Sequence, residues 1–294
     1  GLTIVEATGV TPEGRISPYD MGLWSDDHIE PLARIVRYYH SIGAKIGIQI
    51  GHAGRKASTF AGHSSPSGRF QAASDADGGW EPVGPSAVPF NLVDHRKPRE
   101  ITLAEIAGIK KAFVDAAKRA DEAGFDVLEI HGAHGYLISS FLSPNANKRT
   151  DHYGGSFENR TRLLLEIVEE VRANGVWPES KPLFVRVSAN EWVEGGWTSE
   201  DTQRLAPLLY AAGVDLIDVS SGGINAAQQI PVKPQYQTPF SADLKRNVPG
   251  AVTGTVGMIN EPEEAEEILQ RDDADLILLG RNALREPQWP LRAA

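Results

Sequence analysis

Three stretches of the chain share one design. EAGFDVLEI, AAGVDLIDV and SIGAKIGIQI each pass from a helical pattern through a glycine into an apolar run. A glycine there ends a helix with left-handed backbone, and the next strand begins within about three residues. An unbroken apolar run is what a parallel strand covered on both faces requires. Read this way, the sequence predicts strands at Leu2–Ala7, Lys45–Ile50, Val127–His131, Leu183–Ser188, Leu216–Ser220, Ala251–Gly254 and Leu276–Leu279. Amphipathic stretches of helical length lie between them, at Asp27–Ile42, Leu103–Ala123, Asn159–Ala173, Ser199–Ala212 and Pro262–Arg271. Alternation of this kind predicts an α/β fold with a parallel sheet and right-handed crossovers.

Seven strands are countable, whereas a (β/α)8 TIM barrel has about eight. Gly1 opens straight into a strand-like run, with no signal-peptide pattern. The expectation is therefore one barrel domain over residues 1–294 whose first strand is missing from this chain. An open doubly wound sheet is the alternative, but no G-x-G-x-x-G follows any strand. A length of 294 residues suits one such domain.

Net charge is −10, which implies no basic surface for nucleic acid or an anionic membrane. No apolar run approaches the roughly 20 residues of a membrane helix. There are no cysteines, so this chain supplies no disulfide, iron–sulfur cluster or thiolate metal site. That composition fits a cytoplasmic, reducing setting.

Active sites of barrels gather at the C-terminal ends of the strands. Gln49 lies within IGIQI and His52 just after it. HGAHGYL places His131, His134 and Tyr136 after the third countable strand. Arg186 is a charge inside the apolar run LFVRV, and a buried guanidinium needs an acceptor or an anion. Glu129 is one candidate partner. The last two strands run into TGTVGMINEPEE and LGRNALREP. Gly254, Gly257 and Gly280 there allow close backbone approach, and loops after strands seven and eight of such barrels often hold a phosphate. Glu129, His131 and His134 could alternatively form a three-ligand zinc site of a hydrolase. Residues 51–100 form a long segment rich in Gly, Ser and Pro with no helical period, in which Trp80 and Phe90 are expected to pack down.

The ordered series IQIGHAGRKAS, GPSAVPF, AGFDVLEIHGAHGYLISSFLSPNANKRTDHYGGSFENR, PLFVRVSA, GVDLIDVSSGG and DLILLGRNALREPQWP resembles the old yellow enzymes, nearest to their thermophilic-like and xenobiotic-reductase branch. The resemblance spans essentially the whole chain. It implies an FMN-dependent barrel that uses NAD(P)H to reduce activated alkenes such as α,β-unsaturated carbonyl compounds, an ene-reductase. It implies that Gly9, Gln49 and Arg186 contact the flavin ring, with Arg186 stabilising its reduced form. Gly257, Gly280 and Arg281 would hold the phosphate. His131 and His134 would bind the substrate oxygen, Tyr136 would donate a proton, and Trp289 would line the substrate pocket. Ser156 is expected to cap a helix. The resemblance further implies a homo-oligomer, dimer or tetramer. In the family, a first strand carrying flavin contacts, a cysteine and a tyrosine would precede Gly1, and a C-terminal tail that assists dimerisation would follow Ala294. A chain without those parts could instead be a non-catalytic flavin-binding fragment.

Overall fold

The computed structural model describes residues 1–61, 71–91 and 93–294. Seven parallel strands form one sheet: β1 Leu2–Gly9, β2 Lys45–Gly51, β5 Val127–Gly132, β6 Leu183–Ser188, β7 Leu216–Ser220, β8 Thr253–Thr255 and β9 Leu276–Ile277, hydrogen-bonded in that order. Two short strands, β3 Val83–Gly84 and β4 Arg99–Glu100, make a separate parallel ribbon. The helices are α1 Ile29–Ser41, α2 Leu103–Ala123, α3 Leu137–Leu142, α4 Phe157–Arg172, α5 Ser199–Ala211, α6 Thr238–Asn247, α7 Pro262–Gln270, α8 Arg281–Arg285 and α9 Trp289–Ala293.

All seven expected strands and all five expected helices are present, within a few residues. α3, α6, α8, α9 and the β3–β4 ribbon were not anticipated. α3 is six residues long, too short to show a period. The sheet runs in barrel order but is open: among the described residues, β9 pairs with β8 alone, and β1 pairs with β2 and otherwise makes one isolated bridge, Gly9 to Gly22.

Local chemistry explains the boundaries. Thr102 and Glu105 form a reciprocal capping box at the start of α2, and Gly124 at φ 92° ends that helix. Ser156 caps α4 by accepting from the Asn159 N–H, as the sequence predicts. Each such cap contributes about 0.5–2 kcal/mol. The outer face of the sheet packs on the helices through Ile48, Ile50, Leu128, Ile130, Phe113, Leu164 and Ile167, all buried. On the concave face, Val127, Phe184 and Leu216 form a separate apolar cluster with Ile4. Parallel register then raises the polar residues above this floor. Gln49 pairs with Glu129, His131 with Arg186, and Arg186 with Asp218.

The long segment after β2 is tied down where it is described. Trp80 Nε1 donates to Glu13 O at 2.9 Å, and the Phe90 ring lies 4.4 Å from the Lys56 ammonium. Short 3-10 turns at Gly54–Lys56 and Asp75–Asp77 give it local order. Residues 62–70 and 92 of this segment lie outside the described residues.

Candidate active site

β5 carries His131 one residue before its end at Gly132, and the following turn carries His134 at φ 61° and Gly135 at φ 73°. Two contacts fix this conformation. A Cβ on Gly135 would meet Gly223 O at 2.2 Å, and one on Gly223 would meet the His134 backbone at 2.5 Å. The turns after β5 and β7 therefore touch backbone to backbone, which only glycines permit. Lys56 Nζ joins them, donating to His134 O at 2.9 Å and Gly223 O at 3.1 Å.

Around His131, three rings meet edge to face. The His134 ring lies 5.3 Å away and the Tyr136 ring 4.9 Å away, centroid to centroid. His131 Nδ1 accepts from the Ala133 N–H at 3.2 Å, which puts its proton on Nε2. His134 Nε2 lies 2.7 Å from Ser220 Oγ. Burial pushes the His131 imidazole down to about 3, with Arg186 and then Lys56 adding to the shift. Burial likewise holds His134 well below the usual histidine range. Both rings are therefore neutral at pH 7. Burial pushes the Tyr136 phenol up to about 12, helped by the Asp20 charge, so it keeps its proton. His131 and Tyr136 share the lining of a small cavity of about 20 Å³ with Gly9, His52 and Asp20.

A second, open cavity of about 860 Å³ lies beside this cluster. Arg186, Ser220, Gln237, Gly257, Gly280 and Arg281 line it. The expected phosphate residues thus converge with Arg186 on one space. Among the described residues, the N–H groups of Gly257 and Gly280 find no acceptor. Gly257 takes φ 128°, and a Cβ there would meet Gln237 Nε2 at 2.9 Å. Unpaired amides and the three guanidiniums of Arg186, Arg281 and Arg285 in a cavity of this size suit an anionic cofactor of the flavin mononucleotide class.

Gln49 is buried at the next level, its Nε2 donating to Glu129 Oε2 at 2.5 Å. It does not line the large cavity. The counter-ion of Arg186 is Asp218 rather than Glu129: Arg186 Nε and Asp218 Oδ2 are 3.0 Å apart. The N–H does not point along that line, so the contact is an ion pair and not an aligned hydrogen bond. Asp218 interrupts the apolar run LIDV as Arg186 interrupts LFVRV; paired charges in successive strands were the signal for it. Ser220 and Gln237 were also missed, being ordinary polar residues by type.

Trp289, expected at the substrate pocket, packs beside the turn that carries Gly257. It is buried with Ile259, Ala265, Ile268 and Ala274, and its indole donates to Asn260 O at 2.6 Å. It lines neither cavity, and instead holds the turn that carries Gly257. The three zinc-site candidates do not converge either. Glu129 is engaged by Gln49, and among the described residues no group of three or more His, Cys, Asp or Glu side chains is placed to hold a metal ion.

The whole chain, residues 1–294, matches the NADH:flavin oxidoreductase / NADH oxidase family. An NADPH dehydrogenase of Halalkalibacterium halodurans is 49% identical over 294 residues, which span 100% of this chain and 79% of that protein. An NADPH dehydrogenase of Geobacillus thermodenitrificans is 48% identical with the same coverage, 100% and 79%. Among solved structures, the old yellow enzyme homologue from Zymomonas mobilis superposes with a TM-score of 0.79 at 28% identity, over 99% of this chain and 78% of its own. Morphinone reductase in complex with tetrahydroNAD superposes at 0.77 and 26% identity, over 100% of this chain and 78% of its own. No described helix is long and apolar enough to cross a membrane. The chain belongs to the NADH:flavin oxidoreductase / NADH oxidase family, and is an NAD(P)H-dependent flavin oxidoreductase with FMN as its cofactor.

Proposed function

We propose that this oxidoreductase is an ene-reductase acting on alkenes activated by a carbonyl or similar group. The observation that carries the reading is the edge-to-face cluster of His131, His134 and Tyr136, all neutral and gathered at one strand end. Two neutral imidazoles can each donate a hydrogen bond to one substrate oxygen. Their donation strengthens as negative charge develops there, which lowers the barrier. When bound, FMN supplies the hydride chemistry between NAD(P)H and the alkene β-carbon. Tyr136 keeps a proton at its Oη and gives it to the α-carbon. Gly9, Gln49 and Arg186 would contact the flavin ring, and Gly257, Gly280 and Arg281 its phosphate.

Two readings go with this. Leu2 and Leu276, on the two end strands of the sheet, are 37% and 42% exposed, so a further strand is proposed to close the barrel between β9 and β1. A homo-oligomer, dimer or tetramer, is proposed for the assembled enzyme. The test of function is spectroscopic. Under anaerobic conditions NADPH should bleach the flavin of the purified protein, and cyclohexenone should restore the colour. Bleaching without recovery on cyclohexenone or a nitroalkene would refute the ene-reductase reading while leaving the family assignment intact.

A further inference from the structure

Beneath His131, two carboxyl groups face each other in the sheet interior. Glu129 is 1% exposed and Asp218 is 0% exposed. If both are taken as acceptors only, Glu129 Oε1 and both oxygens of Asp218 lack a donor. Three orphaned oxygens on two buried carboxylates would cost several kcal/mol. One proton removes the conflict, because a protonated Glu129 can donate to Asp218. Gln49 donates to the other oxygen of Glu129, and Arg186 stands 3.0 Å from Asp218. Among the described residues, no other charged group faces the pair. β2 contributes Gln49, β5 contributes His131 one level above Glu129, β6 contributes Arg186, and β8 places Gly254 at the level of Asp218.

We propose that Glu129 and Asp218 are a positioning pair that shares one proton and carries one negative charge. The charge resides on Asp218 and sets the position and effective charge of Arg186 at the flavin site, tuning the reduction potential of bound FMN. The proposal rests on the placement of Arg186 and Gln49 at the flavin. The electrostatics agree: burial, and then the Asp218 charge, push Glu129 up to about 8. Burial also raises Asp218, but the Arg186 guanidinium opposes that shift, which favours Asp218 as the ionised member. The two carboxyls are thereby unequal, one neutral and one charged.

That inequality makes the test specific. Glu129→Gln replaces a neutral group by a neutral group and should leave the FMN midpoint potential where it was. The double variant Glu129→Gln/Asp218→Asn leaves no carboxyl to carry the charge opposing Arg186 and should raise the potential, with reduced FMN gaining about tenfold in affinity relative to oxidised FMN, the size of a typical charge-pair effect. An unmoved or lowered potential in the double variant overturns the proposal, as does a shift of the same size in Glu129→Gln alone. A measurement on the unsubstituted apoprotein covers the case of misfolded variants. Its infrared spectrum at pH 7 should contain the carbonyl stretch of a buried protonated carboxyl, sensitive to deuterium exchange. Absence of that band overturns the shared proton without reference to flavin. Arg186→Ala separates the pair from its effect on flavin: unchanged FMN affinity and potential there would refute the flavin placement of Arg186, whereas the infrared band, told apart from that of the buried Glu191 carboxyl by its loss in Glu129→Gln, judges the pair alone.

Discussion

Ser220 Oγ sits 2.7 Å from His134 Nε2, and this contact decides which imidazole nitrogen is free to bind a ligand. If Ser220 donates to Nε2, the His134 proton lies on Nδ1 and can be offered to a substrate oxygen. Gln237 Oε1 stays satisfied in that arrangement by Ser221 Oγ at 2.7 Å. Phenols mimic the enolate oxygen and should stack on oxidised FMN, producing a long-wavelength charge-transfer band. His131→Ala or His134→Ala should weaken phenol binding by about 1–3 kcal/mol. Ser220→Ala should cost about 0.5–1.5 kcal/mol, the range for one neutral hydrogen bond. Titrating the band in all three variants checks this; parental affinity in both histidine variants would remove them from the oxygen site.

The backbone contact between the turns after β5 and β7 should be intolerant of any side chain. Gly223→Ala would drive a Cβ to 2.5 Å from His134, at a φ of 91°. Gly175 is a control, with φ 69° but open space around the added Cβ. Left-handed strain alone costs about 1–3 kcal/mol. Gly223→Ala should therefore lower the urea midpoint more than Gly175→Ala, and should also impair phenol binding, which Gly175→Ala should not. Equal loss of stability in the two variants would mean that the turns separate freely.

The sheet was legible in the sequence because buried parallel strands leave continuous apolar runs, and Gly43, Gly124 and Gly213 mark where helices stop before β2, β5 and β7. His131, His134 and Tyr136 were legible as residue types too reactive for an inert turn. The motif resemblance gave them roles. Asp218 as the partner of Arg186 depended on strand register, which spacing alone does not set. The packing of Trp289 beneath the turn that carries Gly257 was not legible, because an aromatic reads alike whether it lines a pocket or fills the gap beneath a turn. α6 has little amphipathic contrast, since its buried positions are mainly Thr238, Ser241 and Ala242.

Stability should fall with rising pH through Glu129. Its carboxyl moves from a usual value near 4.5 up to about 8 on folding. Between those values the folded state holds a proton that the unfolded state has released. The contribution is thus fully present below about pH 4.5 and lost as pH rises through about 8, with a slope of at most about 1.4 kcal/mol per pH unit for one proton. Glu129→Gln has no such proton to lose. Relative to the parent, the variant should gain stability steadily from about pH 5 to about pH 8 and then level off, in urea unfolding of the apoprotein. A constant difference between the two across that range would show that Glu129 titrates normally.

Tyr136 should act late in turnover and do little before it. Its ring is 4.9 Å from that of His131, and burial holds its phenol protonated, up to about 12. A neutral phenol in this place is a proton donor and contributes no charge to the reduction of FMN. Tyr136→Phe should leave the NADPH half-reaction close to the parental rate. Reoxidation by cyclohexenone should slow by about 10²–10⁴-fold, the usual contribution of a positioned acid, because the α-carbon must then take its proton from water. Nitroalkenes should suffer less, since their nitronate product can depart and be protonated in solution. Stopped-flow of the two half-reactions separates these effects. Parental reoxidation by cyclohexenone in Tyr136→Phe would mean that a water or another side chain delivers the proton. The His52 imidazole lines the same small cavity, and burial holds it down at about 4, neutral at pH 7. It would be the next residue to replace.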